Sequence, residues 1–134
     1  MKKIKTIKIK VYKNKTGKLL PLSFNKKLPI KIKRIFFIYG KKDKIRGNHA
    51  HKKCYQLFIP LLGNFILNIK TPKVTKKLIL SEKSKEGVLV PPEYWCSTKP
   101  CKNNSLLMVA CNQYYDLKDY INNFKKYKEY LRKK

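Results

Sequence analysis

Isoleucine and valine alternate with lysine from Lys3 to Tyr12 (KIKTIKIKVY), the period-two pattern of a strand with one buried face. A turn at KNKTG follows, and LLPLSF and IKIKRIFFIYG (Ile30 to Gly40) read as further strands, the second closed by Gly40 and KKDK. KCYQLFIPLLG and NFILNIKT flank Gly63 and Asn64, turn residues that predict a hairpin between two short strands. KKLILSEKS, GVLVPPEYWCS and SLLMVACNQYY continue the series, and this even spacing of short strands predicts an all-β sandwich or jelly roll. Only the tail changes period. In DLKDYINNFKKYKEYLRKK, Tyr120, Ile121, Phe124, Tyr127 and Leu131 recur near helical spacing, with Asp116 as the available N-cap and basic residues at the end that suits the helix dipole. A short amphipathic C-terminal helix is predicted. With no repeat and no linker, residues 1–134 form one domain, and Val90–Pro91–Pro92 is expected to stiffen the mouth of a pocket.

Composition narrows the classes. A chain of 134 residues with 43% hydrophobic content and nine tyrosines buries a real core and is no disordered polycation. The net charge of +27 suggests nucleic acid, but the lysines are spread from end to end, arginine occurs three times, and no nucleic-acid motif is present. What the charge predicts is attraction of small anionic molecules. Cys54, Cys96, Cys101 and Cys111 show neither zinc-ribbon nor disulfide-framework spacing, so free thiols in a reducing compartment are expected. There is no apolar leader and no window near the ~20 apolar residues that a membrane span needs. A soluble cytoplasmic protein without membrane or nucleic-acid partners is the expectation.

The chemistry concentrates in RGNHAHKKCYQ. Both histidines of the chain, His49 and His51, stand one residue apart just after Arg46 and Gly47. In an extended segment both rings point to the same side, so they share a pocket. Two chemistries use such a pair: metal ligation, and proton transfer by imidazole. The spacing is similar to the cupin pattern, in which an acidic ligand and a third histidine follow. Here Gln56 takes the acidic position and VPPEYWCST has no histidine, so a metal would need Cys96, Glu93 or water. Proton transfer is the better fit, and no metal or other cofactor is expected.

RGNHAHKKCYQ, with IFFIYG upstream and GVLVPPEYW and YYDLKDYI downstream, resembles the nucleotide-linked 4-keto-6-deoxysugar 3,4-ketoisomerases, small WxcM-like cupins that work without metal. The likeness runs from about Lys31 to Phe124. It implies a cupin or jelly-roll fold and conversion of dTDP-4-keto-6-deoxyglucose into a 3-keto isomer, which an aminotransferase turns into a 3-amino sugar for a bacterial surface glycan such as lipopolysaccharide. His49 and His51 are then the catalytic acid/base pair, with Tyr39 and Arg46 in the pocket. Gln56 orients a histidine or binds a sugar hydroxyl, at an offset from His51 that demands a bulge or twist in the strand. Trp95 stacks on sugar or base, whereas Tyr115 and Asp116 dock and cap the helix. The resemblance also implies a homodimer, with N-terminal strands exchanged between subunits. Two alternatives stay open on the same scaffold: a nucleotide-sugar epimerase, and a non-catalytic cupin that binds a sugar nucleotide.

Overall fold

The fold, taken from a computed structural model that describes residues 1–26 and 28–134, is a sandwich of two five-stranded antiparallel sheets with a short C-terminal helix. One sheet runs in the order β1 (Lys5–Lys8), β9 (Glu86–Val90), β6 (Gln56–Leu62), β11 (Ser105–Cys111), β4 (Arg34–Gly40). The other runs β12 (Tyr120–Ile121), β5 (Arg46–His51), β10 (Trp95–Pro100), β7 (Asn64–Lys70), β8 (Thr75–Ser81). A separate hairpin joins β2 (Tyr12–Asn14) to β3 (Gly17–Leu19), and helix α1 covers Phe124–Arg132.

Between the sheets Phe58, Phe65, Leu67, Ile69, Leu107 and Val109 interlock as the inner core. The outer face of the first sheet is buried too: Leu57, Ile59, Leu89, Met108 and Ala110 lie under Ile9 and the half-buried Leu20, Leu22, Ile30 and Ile32. Burial on both faces is why β6 reads as an unbroken apolar run, QLFIPLL, without alternation. It also corrects two expected strands. LLPLSF leaves the hairpin after Leu19, and residues 30–33 precede β4 without joining a sheet. Leu20, Leu22, Ile30 and Ile32 of these segments cover the outer face, and Pro21 and Pro29 lack the donor a ladder needs. The strand expected from Lys3 to Tyr12 is confined to Lys5–Lys8, paired with β9 of the same chain.

The predicted hairpin at Gly63 is instead a corner. β6 ends at Leu62 and β7 begins at Asn64, yet the two strands belong to opposite sheets. Gly63 makes the crossing alone at φ +70, where a Cβ would lie 2.6 Å from Ser105 Oγ. A second corner divides GVLVPPEYWCS, expected as one strand, at Pro91–Pro92, so that β9 and β10 also lie in opposite sheets. Its backbone is fastened by Glu93 N, which donates to the His51 carbonyl at 2.7 Å.

The tail differs from expectation as well. Asp116 caps a short 3₁₀ turn, Leu117–Asp119, by accepting from Lys118 N at 3.0 Å. α1 starts later, where Asn123 accepts from Lys126 N at 3.0 Å. Between turn and helix, β12 sets Tyr120 opposite His51. Tyr127 anchors the helix: it is fully buried, and its hydroxyl donates to the Glu93 carbonyl at 2.7 Å. Tyr127→Phe removes the donor to a buried carbonyl and is expected to cost about 1–2 kcal/mol of unfolding free energy, read from urea denaturation.

Candidate active site

The site begins with a local distortion in β5. Gly47 (φ +98) and Asn48 (φ +60) are left-handed, and Asn48 is the extra residue of a bulge in β5 that faces Cys96 and Ser97 of β10. A Cβ on Gly47 would fall 2.9 Å from the Cys96 carbonyl oxygen, so only glycine lets the strands approach here. Beyond the distortion the strand is regular and the two imidazoles share one side, edge to face, with centroids 5.1 Å apart. Tyr120 packs on both rings, at 4.9 Å from His49 and 4.3 Å from His51.

His51 is held by a carboxylate. Its Nδ1 lies 2.8 Å from Asp119 Oδ2, while Asp119 Oδ1 accepts from Lys53 N at 2.7 Å. With Nδ1 as donor, Nε2 carries the lone pair, and Nε2 is buried with no hydrogen-bond partner in the protein. Burial, reinforced by the neighbouring His51, lowers His49 from its ordinary 6.5 to about 4. Burial lowers His51 too, against the opposing pull of Asp119. Both rings are therefore neutral at neutral pH, each able to accept a proton.

A cavity of about 470 Å³ opens over the pair, and Arg46, His49, Gln56, Thr98, Tyr115 and Tyr120 contribute to its walls together with Arg34 and Phe36 of β4. His51 stands one layer behind His49. Arg34 Nη2 lies 3.7 Å from Cys111 Sγ, and its guanidinium faces the Phe36 and Tyr115 rings at 5.6 and 5.5 Å. Desolvation works against the Arg34 charge, but contacts with Cys111 and Tyr120 outweigh it and keep the guanidinium ionised. Burial pushes the Cys96 thiol up to about 12, so this cavity residue is an inert wall.

Of the residues singled out from sequence, the cavity gathers His49, Arg46 and Gln56. Gln56 needs no bulge, because it reaches the pocket from β6 of the facing sheet. Tyr39 is not brought there: it is 80% exposed on the outer side of β4, and Ile38 takes the inward position. Trp95 points the other way from Cys96 and packs against Phe124 (5.3 Å) and Tyr127 (5.7 Å), so it docks α1. Tyr115, expected to dock the helix, lines the cavity. Glu93 pairs with Lys134 and does not join the histidines. Among the described residues the group with metal-ligand spacing is His51, Cys54 and Asp119, with donor atoms within 4.8 Å of one another.

Sequence reasoning missed Arg34, Tyr120 and Asp119. Scarcity was the available signal: Arg34 is one of three arginines, and Asp119 one of seven acidic residues.

Comparison with known proteins points the same way. The family described as FdtA, WxcM-like, C-terminal, matches residues 2–132. A TDP-4-oxo-6-deoxy-alpha-D-glucose-3,4-oxoisomerase of Aneurinibacillus thermoaerophilus is 30% identical over 130 residues, 96% of this chain and 93% of the relative. The chain belongs to the sugar 3,4-ketoisomerase family. Among solved 3,4-ketoisomerases, QdtA of Thermoanaerobacterium thermosaccharolyticum, as a histidine-to-asparagine variant in complex with TDP-4-keto-6-deoxyglucose, superposes with a TM-score of 0.89 at 31% identity, covering 98% of this chain and 95% of QdtA. The TDP-fucose-3,4-ketoisomerase WlaRA of Campylobacter jejuni gives a TM-score of 0.83 at 32% identity, covering 95% and 94% of the two chains. The chain is thus an isomerase, and its ketoisomerase fold sets one neutral histidine, His49, on the cavity wall with a second, His51, behind it.

Proposed function

We propose that this isomerase converts dTDP-4-keto-6-deoxy-D-glucose into a dTDP-3-keto-6-deoxyhexose through an enediol, without a metal. The observation that carries the reading is the edge-to-face pair of neutral imidazoles, one lining the cavity and one oriented behind it by Asp119. His49 removes the C3 proton, the resulting imidazolium exchanges it with solvent, and the same ring then protonates C4. The unpartnered Nε2 of His51 moves the hydroxyl proton between the two oxygens, so that one carbonyl is lost and one gained with no net oxidation. Arg34 and Arg46 supply positive charge for the enediolate and the diphosphate. The substrate is supported by the ligand of the QdtA complex and by the name of the Aneurinibacillus relative. A 3-keto product suits a following aminotransfer, which would supply a 3-amino sugar to a bacterial surface glycan such as lipopolysaccharide.

A homodimer fits the edge strand β4, whose outer face exposes Ile35, Phe37 and Tyr39. The β1–β9 pairing would serve equally between chains if the N-terminal strands exchange. Four unpaired cysteines agree with a reducing cytoplasm, and among the described residues no helix is long and apolar enough to cross a membrane.

The test is proton NMR of metal-stripped protein with dTDP-4-keto-6-deoxyglucose in deuterated water. New 3-keto signals with deuterium at C4 support the isomerase. A carbonyl that stays at C4 with inverted neighbours means an epimerase, and bound but unchanged substrate means a binding protein.

A pH profile follows from His49. Because its proton is held only below about 4, kcat/KM is expected to stay level through neutral pH and to fall about tenfold per unit once pH drops below about 4. The unfolded chain takes up that proton near 6.5, so the stability contributed by a neutral His49 is complete above 6.5 and is lost as pH falls to about 4. Initial rates and urea midpoints across that window check both limbs.

A further inference from the structure

Cys54 is a thiol the proposed reaction does not use, although it lies against the machinery. It is 1% exposed, its Sγ points to the Tyr55 carbonyl at 3.2 Å, and it is hydrogen-bonded to the Cys111 thiol. On its other side are the His51 ring and the Asp119 carboxylate, with one ligand atom from each of the three residues inside a 4.8 Å group. Tetrahedral zinc, with Zn–S of about 2.3 Å and Zn–N or Zn–O of about 2.0–2.2 Å, holds its ligand atoms some 3–4 Å apart, so small side-chain movements suffice.

We propose that His51, Cys54 and Asp119 form an inhibitory site for a thiophilic divalent cation, zinc being the best match. The donor set of imidazole, thiolate and carboxylate is the mixture zinc takes, and magnesium or calcium would not accept the sulfur. Charge balance agrees. On binding, Cys54 releases its proton to solvent and Asp119 is already anionic, so two negative ligands neutralise the dication while Arg34 keeps its contact with Cys111. His51 becomes a ligand through Nδ1, the proton it had donated to Asp119 moves to Nε2, and the proton-shuttling role is lost with the Nε2 lone pair. The site would let free zinc switch the isomerase off reversibly, with no redox change. The consequence for turnover rests on the role given to His51, whereas occupancy of the site does not.

The full-length chain, kept reduced, is dialysed against zinc and its metal content is measured, with cobalt as a spectroscopic probe for sulfur ligation. One equivalent retained, a cobalt–thiolate charge-transfer band, and loss of turnover restored by a chelator are expected. Cys54→Ala, which leaves the proposed proton-transfer residues untouched, is expected to keep its zinc-free turnover. It should weaken zinc by at least about 100-fold, since even the loss of an outer-shell partner costs roughly 10–100-fold. Cys54→Ser serves if the alanine variant is poorly folded. Zinc that does not stay bound to the native chain, or that binds the Cys54 variants with unchanged affinity, overturns the site. Stoichiometric zinc lost in the Cys54 variants, but without inhibition of the native chain, leaves the site standing, overturns its inhibitory role, and removes His51 from the mechanism.

Discussion

His49→Asn is expected to lower kcat by roughly 10²–10⁴-fold while leaving the affinity for dTDP nearly unchanged. Asparagine retains a polar group at the cavity wall, but its amide cannot accept a proton from carbon. The proposed roles make the loss specific to the chemical step: His49 is the imidazole that lines the cavity, whereas the diphosphate is assigned to Arg34 and Arg46, which line the same cavity. Deuterium incorporation at C3 of the substrate would fall with kcat, and titration calorimetry with dTDP would not. If exchange at C3 continued at its native rate in the variant, the carbon base would have to be sought elsewhere, with the His51 ring as the nearest candidate.

Asp119→Asn is expected to cost kcat about 100-fold, by acting on a ring it does not replace. The backbone decides the outcome. Lys53 N donates to Oδ1, so the substituted side chain keeps its carbonyl there and turns its NH₂ toward His51. Nδ1 must then accept, the proton moves to Nε2, and the lone pair on that buried nitrogen is gone. A merely structural role would not invert a tautomer, and nitrogen NMR of the His51 ring reads the inversion directly. KM should move little, and so should the urea midpoint, because the amide preserves the bond to Lys53. Asp119→Ala, which abandons that backbone donor as well, should lose both activity and stability.

How far the sequence disclosed this arrangement depended on whether a feature left a local trace. The alternation of NFILNIK announced β7, and the rare pair His49–His51 announced the site. Corners were illegible, because a glycine between apolar runs looks the same whether the strands pair or separate into opposite sheets. Gly63 therefore passed for a hairpin. In RIFFIYG every residue but the first is compatible with either face, and a frame error of one residue sends Tyr39 inward in place of Ile38. The neighbours Trp95 and Cys96 part for the same reason, one to the helix and one to the cavity. Asp119 lies 68 positions beyond His51, and no periodicity spans that interval.

Asp119 and Tyr120 have one more implication, because they arrive after every other strand of the sandwich. The two sheets can form their shared core from residues before the 3₁₀ turn, yet the orienting carboxylate and the ring that packs on both imidazoles are delivered afterwards. During synthesis, therefore, a chain still short of this segment holds its histidines without their support. A protease that nicked the connection after Cys111 would leave much the same state, a standing scaffold whose catalytic centre has been disarmed.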